Sequence, residues 1–285
     1  MPNSSTIQQS VPAISSTEAV AKIGESLADL NLYHLQAVRY KWLADTIAKF
    51  VPTGSKVGDI GAAPGHISRL LKMLGYDVTS FDFDPDQDMW EPAGVIGFAQ
   101  RLRNEGITVV HWDAEVDDPS AVPQEASEEG TLDGVVFTEI LEHLYRFPFA
   151  SVRRVGHLVR PGGFIFLTTP NRGYGWFRIK ALFGRASDTD FELLKDNFPP
   201  HMRHVWQYTL KECCEIVEAA GFEVVLKEVR NFHLWTSILS DGTISDRWQP
   251  SSLKQFLKLP FALFLLLFPS FGSTVCVVAR KKRKK

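Results

Sequence analysis

The chain has 285 residues, of which 45% are hydrophobic and 22% charged, with a formal net charge of −2. This composition suits a folded globular protein with a sizeable core and excludes a largely disordered chain. A charge so close to zero gives no overall attraction to nucleic acid, so we expect no nucleic-acid partner. Three cysteines, two of them adjacent at Cys213 and Cys214, predict reduced core residues of a cytoplasmic protein rather than a disulfide framework.

The first 50 residues divide into a polar lead and a helical segment. Residues 1–16 lack the basic start and apolar core of a secretory signal peptide, and we expect a flexible lead there. Apolar residues then recur at three- and four-residue spacing over residues 29–50, which predicts an amphipathic helix. We expect residues 17–50 to form a helical lid on a single domain that covers residues 17–280.

Apolar runs and helical patterns alternate after residue 50. Strands are predicted at SKVGDIG, YDVTSFDFD, ITVVHWDA, LDGVVFTE and FIFLTTP, with helices at 66–74, 94–104 and 151–159 between them. The segment RPGG is expected to end the third of these helices and to lead into the strand FIFLTTP. Such alternation predicts an α/β protein whose parallel sheet has helices on both faces. Further along, a capping box at Thr209 and Glu212 opens another helix, and FEVVLKEV and STVCVVAR supply two last strands.

The longest apolar run is LPFALFLLLFP, at residues 259–269. It is too short to cross a bilayer, because about 20 residues are needed for that. It predicts a buried or interfacial helix within residues 256–271. A basic tail, residues 281–285, follows closely, and the two features together suggest peripheral contact with a membrane surface as the alternative.

The loop after the first strand, GAAPG, consists of small residues and a proline. A dinucleotide fingerprint would need glycine at positions 61, 63 and 66, whereas the chain has Gly61, Ala63 and His66. The ending of a phosphate-binding P-loop is also missing from this segment. A loop without large side chains lets a ligand approach its backbone closely, without demanding a phosphate.

Acidic residues end three successive predicted strands, at Asp59, Asp82 and Asp113. A carboxylate about 20 residues after such a loop is placed to accept both hydroxyls of a ribose, which favours Asp82 for that role. Three acids at neighbouring strand ends favour a nucleoside that carries hydrogen-bond donors. The alternative is that these side chains only cap turns and helices.

Five motifs resemble, in order and spacing, those of class I S-adenosylmethionine-dependent methyltransferases over about residues 50–230. They are VGDIGAAPG, VTSFDFDPD, WDAE, DGVVFTEILEHL and LVRPGGFIFLTTPN. The resemblance implies a Rossmann-like sheet, mostly parallel with an antiparallel last strand, and S-adenosyl-L-methionine as the cofactor. It also implies the residues of the cofactor site: Asp59, Gly61 and Gly65 at the methionine end, Asp82 at the ribose, and Asp113 with Ala114 at the adenine. Ala63 and Glu139 are expected to bind the cofactor as well. Ala63 and Pro64 depart from the usual glycine-containing pattern, which should narrow the loop without abolishing the site.

The segment EILEHL follows the fourth predicted strand, where the acceptor should meet the donor. Its residues Glu139, Glu142 and His143 are spaced to project from one helical face. Methyl transfer from a sulfonium releases a neutral thioether, so catalysis needs positioning and, for a hydroxyl acceptor, removal of a proton. We predict His143 as the general base, because its ordinary pKa lies near neutrality, with Glu142 beside it and His201 or His204 as second candidates.

The same segment also allows a metal-dependent alternative. Its E-x-x-E-H spacing resembles that of ubiquinone-pathway O-methyltransferases. With His204 added, it resembles the methyltransferases that act on the terminal ribose of small RNAs. In that alternative, Glu139, Glu142, His143 and His204 would hold a divalent metal that lowers the pKa of the acceptor hydroxyl. We favour a metal-free base.

The insert at residues 171–204 lies where the family builds its acceptor pocket. Its aromatic and basic residues predict an apolar wall and a contact for an anionic group, or alternatively a lid with a solvated basic rim. The residues concerned are Trp176, Phe177, Phe183 and Phe191, with Arg172, Arg178 and Arg185. The sequence as a whole therefore favours O-methylation of a small or lipid-linked acceptor, such as a quinone precursor or a sugar. The alternatives are a terminal-ribose RNA methyltransferase and a noncatalytic cofactor-binding or interaction protein.

Overall fold

The computed structural model describes residues 14–25, 30–86, 97–122, 130–184, 204–232, 237–238, 244–245 and 259–283. Nine strands lie in these residues: β1 (Lys56–Ile60), β2 (Asp77–Asp82), β3 (Thr108–His111), β4 (Leu132–Thr138), β5 (Val159–Pro170), β6 (Phe222–Arg230), β7 (Ser237–Ile238), β8 (Ile244–Ser245) and β9 (Thr274–Lys281). β7 and β8 pair only with each other, and the other seven form one sheet in the order β3-β2-β1-β4-β5-β9-β6.

The main sheet is parallel except for one strand. β1 to β5 pair in parallel, whereas β9 runs antiparallel to both of its neighbours, β5 and β6. This arrangement confirms the predicted Rossmann-like methyltransferase sheet with its antiparallel last strand. The carboxyl ends of β1, β2, β4 and β5 consequently meet at one edge, where a doubly wound sheet binds its ligand.

Eight helices accompany these strands in the described part of the chain: α1 (Ser16–Glu25), α2 (Leu30–Phe50), α3 (His66–Met73), α4 (Phe98–Asn104), α5 (Pro148–Leu158), α6 (Gly175–Leu182), α7 (Leu210–Ala219) and α8 (Leu259–Leu267). The helix predicted over residues 29–50 is α2. The capping box that opens α7 is present, with Thr209 Oγ1 accepting from the amide of Glu212 and Glu212 Oε2 accepting from the amide of Thr209. Residues 1–13 of the predicted lead lie outside the described residues.

Both faces of the sheet are covered, as predicted. On β4, Val136 packs into a cluster with residues of α1 to α4, such as Leu70. Its neighbour Val135 packs into the opposite cluster with residues of α5 and α7, such as Val155 and Val217. Successive strand side chains point to opposite faces, so a strand buried on both sides reads as the continuous apolar run seen at this position.

The third predicted helix, 151–159, ends within one residue of its expected end, but the following strand begins before RPGG rather than after it. α5 ends at Leu158, and β5 already begins at Val159, which pairs with Leu132. The pairing then jumps to Gly134 with Phe164, so the intervening residues form a bulge inside the strand. Glycine is required there, because a side chain on Gly163 would collide with the backbone oxygen of Asp133.

The apolar run and the basic tail lie at opposite ends of β9. α8 leads through a 3-10 turn into Thr274, which pairs with Pro170, whereas Lys281 at the far end pairs with Phe222. Eight extended residues span about 25 Å, so the apolar run and the tail do not form one compact patch. Lys281 also belongs to the strand rather than the tail, and its Nζ donates to the carbonyl oxygens of residues 156 and 159. Among the described helices, none combines the length and the apolar character needed to cross a membrane.

Candidate active site

The loop after β1 is bound to β2 through its backbone. The amides of Gly61 and Ala62 both donate to the carbonyl oxygen of Phe81, at 2.8 and 3.1 Å. Gly61 has φ of 67°, and a side chain there would collide with Ile140. The loop therefore presents backbone to the adjoining cavity, and only glycine fits at its first position.

Asp59 lies near the end of β1 beneath this loop and is held by the hydroxyl of Ser68. Its Oδ2 accepts a hydrogen bond of 2.6 Å from Ser68 Oγ on α3, and Ser68 Oγ lies 2.7 Å from Ser80 Oγ on β2. The side chain is buried, and this burial raises the pKa of Asp59 to about 7 from 3.8, against the opposing effect of the Ser68 hydrogen bond. An ionised Asp59 would be stabilised by a cation in the cavity.

Asp82 ends β2 on the other side of the loop. Its Oδ2 accepts from the amide of Ala63 at 3.1 Å, which joins the loop to this strand a second time. Burial raises the pKa of Asp82, while backbone hydrogen bonds from residues 63, 84 and 83 lower it. The amide of Trp112 donates to the backbone carbonyl oxygen of Asp82, so the end of β3 lies beside the end of β2.

Asp113 forms a local turn at the end of β3. Its Oδ1 accepts from the amide of Glu115 at 2.7 Å, and its own amide donates to Asp117. The capping role that sequence left open is therefore present at Asp113. The residue nevertheless lines the same cavity as Ala114, which is buried behind it.

A cavity of about 360 Å³ lies between the loop, the three strand ends and the start of α2. It brings together all the predicted cofactor residues except Gly65. Gly65 lies just before the first turn of α3 and has φ of 88°. Those in its lining are Asp59, Gly61, Ala63, Asp82, Asp113, Ala114 and Glu139.

The helix predicted at EILEHL is wrong. β4 ends at Thr138, Glu139 adopts φ of 56°, and only a 3-10 turn covers residues 141–143. This left-handed conformation is rare for a residue with a side chain. It directs Glu139 away from Glu142: its Oε1 accepts from Thr168 Oγ1 at 2.8 Å and lies 2.9 Å from the guanidinium of Arg39.

Glu142 is buried between β5 and the segment that precedes α7. Its Oε2 accepts from Thr169 Oγ1 at 2.9 Å, whereas its Oε1 has no hydrogen-bond partner among the described residues. Burial raises the pKa of Glu142 to about 7 from 4.5. Its backbone oxygen accepts from the amides of Val205 and Trp206, which brings the adjoining His204 to the site.

Two histidines stand beside the unpartnered oxygen of Glu142. Nε2 of His143 lies 3.9 Å from Glu142 Oε1, and the ring centroids of His143 and His204 are 4.9 Å apart. Desolvation lowers the pKa of His204, which favours its neutral form. One ligand atom from each of the three residues lies within 4.8 Å of the others, so they have the spacing of a metal site. Three of the four predicted metal ligands therefore come together, and Glu139 lies apart from them.

A second cavity of about 470 Å³ adjoins the first. Phe177 of α6 and Tyr174, which directly precedes that helix, line it together with Glu142 and His204. Four residues line both cavities and so mark the boundary between them: Gln36, Arg39, Glu139 and His143.

A methyltransferase domain family matches the chain over residues 34–227. The chain belongs to this family. It has the sequence of a methyltransferase domain and the Rossmann-like sheet of class I S-adenosylmethionine-dependent methyltransferases.

Two curated relatives are ubiquinone biosynthesis O-methyltransferases. The chain is 31% identical over 143 residues to that of Xanthomonas axonopodis pv. citri, which is 50% of this chain and 52% of the relative. It is 33% identical over 142 residues to that of Paraburkholderia xenovorans, or 50% and 54% of the two chains. The chain spans about half the length of the curated relatives it matches.

Solved structures share the fold at low identity. An S-adenosylmethionine-dependent methyltransferase from Mesorhizobium loti aligns with a TM-score of 0.51 and 15% identity, over 83% of this chain and 96% of that one. The 1,6-didemethyltoxoflavin-N1-methyltransferase of Burkholderia thailandensis aligns with a TM-score of 0.50 and 15% identity, over 96% and 93%. These two likenesses concern the fold alone.

Arg39 lies in the candidate site, and sequence reasoning missed it. It is buried, and its Nε and Nη1 have no hydrogen-bond partner among the described residues, although Nη1 forms the ion pair with Glu139. The sequence pattern does single out Arg39, because it lies four residues after Leu35 and four before Leu43, on the apolar stripe of α2. A charged residue on such a stripe has to find a partner inside the protein or in a ligand.

The predicted acceptor wall forms only in part. Phe177 lines the second cavity, whereas Trp176 and Phe183 are 45% and 79% exposed. The two described arginines of the insert stack on aromatic rings: Arg172 lies 4.6 Å from the ring centroid of Trp206, and Arg178 lies 5.0 Å from that of Phe271. Arg185, Phe191 and His201 fall outside the described residues.

Proposed function

We propose that this protein transfers the methyl group of S-adenosyl-L-methionine to a hydroxyl group of a small or lipid-linked acceptor. The observation that carries the proposal is the meeting of two cavities at His143, with the predicted donor residues on one side and Glu142 on the other. A donor and an acceptor bound in adjoining cavities are held for in-line displacement, which is the main requirement of this reaction.

The first cavity fits the donor. S-adenosylmethionine, when bound, supplies an electrophilic methyl group on a sulfonium. Asp82 is positioned to accept the ribose hydroxyls, and the loop at Gly61 leaves backbone free to face the methionine end. Asp59 supplies negative charge for the cationic part of the donor, and Asp113 with Ala114 lies where the adenine would sit.

His143 removes the proton of the acceptor hydroxyl in this proposal. It borders both cavities, so it is within reach of an acceptor that faces the donor. Proton transfer creates an imidazolium, which the carboxylate of Glu142 stabilises across 3.9 Å. Thr169 fixes Glu142 through its other oxygen and leaves Oε1 available for this role.

Arg39 binds a negative group at the boundary. Its guanidinium faces both cavities, so it is placed to meet the carboxylate of the donor's methionine end. Glu139 fixes the guanidinium in place from the strand side, which assigns Glu139 to the cofactor site through Arg39.

The acceptor class is inferred from the relatives and from the second cavity. The curated relatives are named for an O-methylation in ubiquinone biosynthesis. Tyr174 and Phe177 give the cavity aromatic walls suited to a ring-bearing acceptor. A phenol or catechol, free or attached to a lipid, satisfies both observations.

The test is methyl transfer from labelled S-adenosylmethionine into three separate pools of acceptor: small catechols, lipid extracts and short RNAs. We expect label in the catechol or lipid pool. Label found only in RNA would contradict this proposal and support the terminal-ribose alternative. The observation that favours that alternative is the cluster of Glu142, His143 and His204, which has the spacing of a divalent-metal site. Donor binding without transfer to any pool would instead support a noncatalytic cofactor-binding protein.

A further inference from the structure

Helices α6 and α8 expose a continuous apolar surface beside the acceptor cavity. Leu266 and Leu267 of α8 are 60% and 75% exposed, and Leu182 and Phe183 at the end of α6 are 84% and 79% exposed. We call this the α6–α8 surface; Trp176, Leu263 and Phe268 also belong to it, each about half exposed. Clustered exposed apolar side chains of this size mark a site of interaction rather than an ordinary surface.

The two helices contact each other through aromatic side chains. The ring of Phe261 on α8 lies 6.1 Å from Tyr174 and 5.9 Å from Trp176, between ring centroids. Gly175 fits between the helices, since a side chain there would touch Phe261 and Phe264. α8 is therefore fixed by Phe261, Phe264 and the buried Leu265. Its residues Leu263, Leu266 and Leu267 stay exposed.

The composition of α8 leaves it without a polar face. Its sequence, LPFALFLLL, contains no charged or hydrogen-bonding side chain. A helix that is apolar all round is stable only when its surroundings are apolar on every side. The face turned away from α6 is consequently suited to hydrocarbon.

The described charges on these two helices are positive. Described α6 carries Arg178 and Lys180 and no acidic residue, and described α8 carries no charge at all. Arg178 packs over the ring of Phe271, and Lys180 lies 5.8 Å from the ring centroid of Phe177, so both cations border the apolar residues. Apolar side chains bordered by cations and a half-exposed tryptophan match the interface of an anionic bilayer.

We propose that the α6–α8 surface docks on an anionic lipid bilayer. Docking in this orientation places the acceptor cavity at the membrane, because Phe177 lines that cavity from the same helix whose Leu182 enters the lipid. The docking stands independently of catalysis; its consequence, access to an acceptor carried in the membrane, rests on the proposed function. The basic tail takes no part, since it lies at the other end of β9.

Flotation with phospholipid vesicles tests the docking. We expect the protein to float with vesicles that mix phosphatidylcholine and phosphatidylglycerol, and less with phosphatidylcholine alone. Replacing Leu266→Ser together with Leu267→Ser should lower the vesicle partition coefficient by about tenfold or more, because two leucines lose their burial in lipid. Lys180→Ser should weaken binding only to the anionic vesicles and only at low salt.

Two controls keep the result specific. Val225→Ser changes an apolar residue that is 40% exposed on β6, and Lys282→Ser with Arg283→Ser changes the tail; neither should alter flotation. Failure of the unaltered protein to float, or flotation that the tail variant abolishes and the leucine variant does not, would overturn the proposal. A dimer that the leucine variant dissociates, without vesicle binding, would assign the surface to a second copy. Donor binding and methylation of a water-soluble catechol, measured without vesicles, report separately on the proposed function.

Discussion

The guanidinium of Arg39 and the carboxylate of Glu139 lie 2.9 Å apart where the two cavities meet. Thr168 donates to the same carboxylate oxygen, so Glu139 already has two partners. This pairing explains why Glu139 does not join Glu142 and the two histidines. It also keeps one positive charge inside a site that otherwise contains several carboxylates.

Replacing Arg39→Met should weaken donor binding by about ten- to a hundredfold, since a hydrogen-bonded contact with a charged group is lost. Arg39 also lowers the pKa of Asp59 and of Glu142, so the variant should need a higher pH for its remaining affinity. Calorimetric titration with the donor at neutral and alkaline pH measures both effects. Arg39→Lys, which retains the charge, is the control; equal affinities in the two variants would contradict the assignment.

Asp82→Ala should remove the acceptor of the ribose hydrogen bonds and weaken donor affinity by about ten- to a hundredfold. The matched control is Asp86→Ala, because Asp86 is an exposed carboxylate that pairs with Arg103 away from the cavity. Titration calorimetry on both folded variants decides the matter. If Asp82→Ala binds the donor as tightly as Asp86→Ala does, Asp82 is not part of the donor site.

Donor affinity should rise with pH through about 7. Burial raises the pKa of Asp59 to about 7, so the carboxyl of the free protein is largely protonated below that pH and has to ionise to meet a cationic donor. Each unit below the pKa should therefore cost up to about tenfold in affinity. Asp59→Asn should bind more weakly and lose this pH dependence; an unchanged slope in the variant would refute the role.

Stability of the unliganded protein should fall as pH rises from about 4 to about 7. The pKa values of Asp59 and Glu142 are raised from 3.8 and 4.5 to about 7 in the folded chain, so it holds protons that the unfolded chain releases in this window. The loss is about 1.4 kcal/mol for each unit by which a pKa is raised, and it levels off above pH 7. Thermal unfolding across this range, compared with Glu142→Gln, checks the sign: the variant should show a shallower decline.

His143→Asn should slow methyl transfer by about a hundred- to ten-thousandfold if His143 is the base, and a chelator should then have no effect. If Glu142, His143 and His204 instead hold a metal, chelation should abolish transfer, added divalent metal should restore it, and donor binding should survive. Glu142→Gln separates the cases further, because it would lose metal affinity in the second and only slow the reaction in the first. Full activity of both His143→Asn and Glu142→Gln would show that the cluster takes no part in catalysis.

Much of the fold was predictable from sequence because its signals are local. β1, the bare loop and α3 follow from an apolar run, glycine positions and helical spacing, all within about 20 residues. The donor side of the site followed as well, because acids at the ends of parallel strands must meet at one edge. Asp82 and Asp59 therefore lie in one cavity as expected.

The arrangement around the second cavity depends on tertiary contacts, which the spacing of residues in the sequence does not reveal. The EILEHL segment reads as helical, but Glu139 is held in a left-handed conformation by Thr168 and Arg39, which come from β5 and α2. His204 reaches the site through backbone hydrogen bonds to the carbonyl oxygen of Glu142. Tertiary contacts of this kind override local propensity, so neither position could be derived from the chain alone.

The place of β9 also governs the order in which the molecule is completed. In the described part of the chain, β6 pairs with the main sheet only through β9. β9 begins some 50 residues after the start of β6. During synthesis, β1 to β5 are able to assemble while β6 still has an unpaired edge and waits for residues 274–281. That edge and the apolar α8 emerge before the strand that closes the sheet, which makes this interval the period in which the nascent chain most needs protection from aggregation.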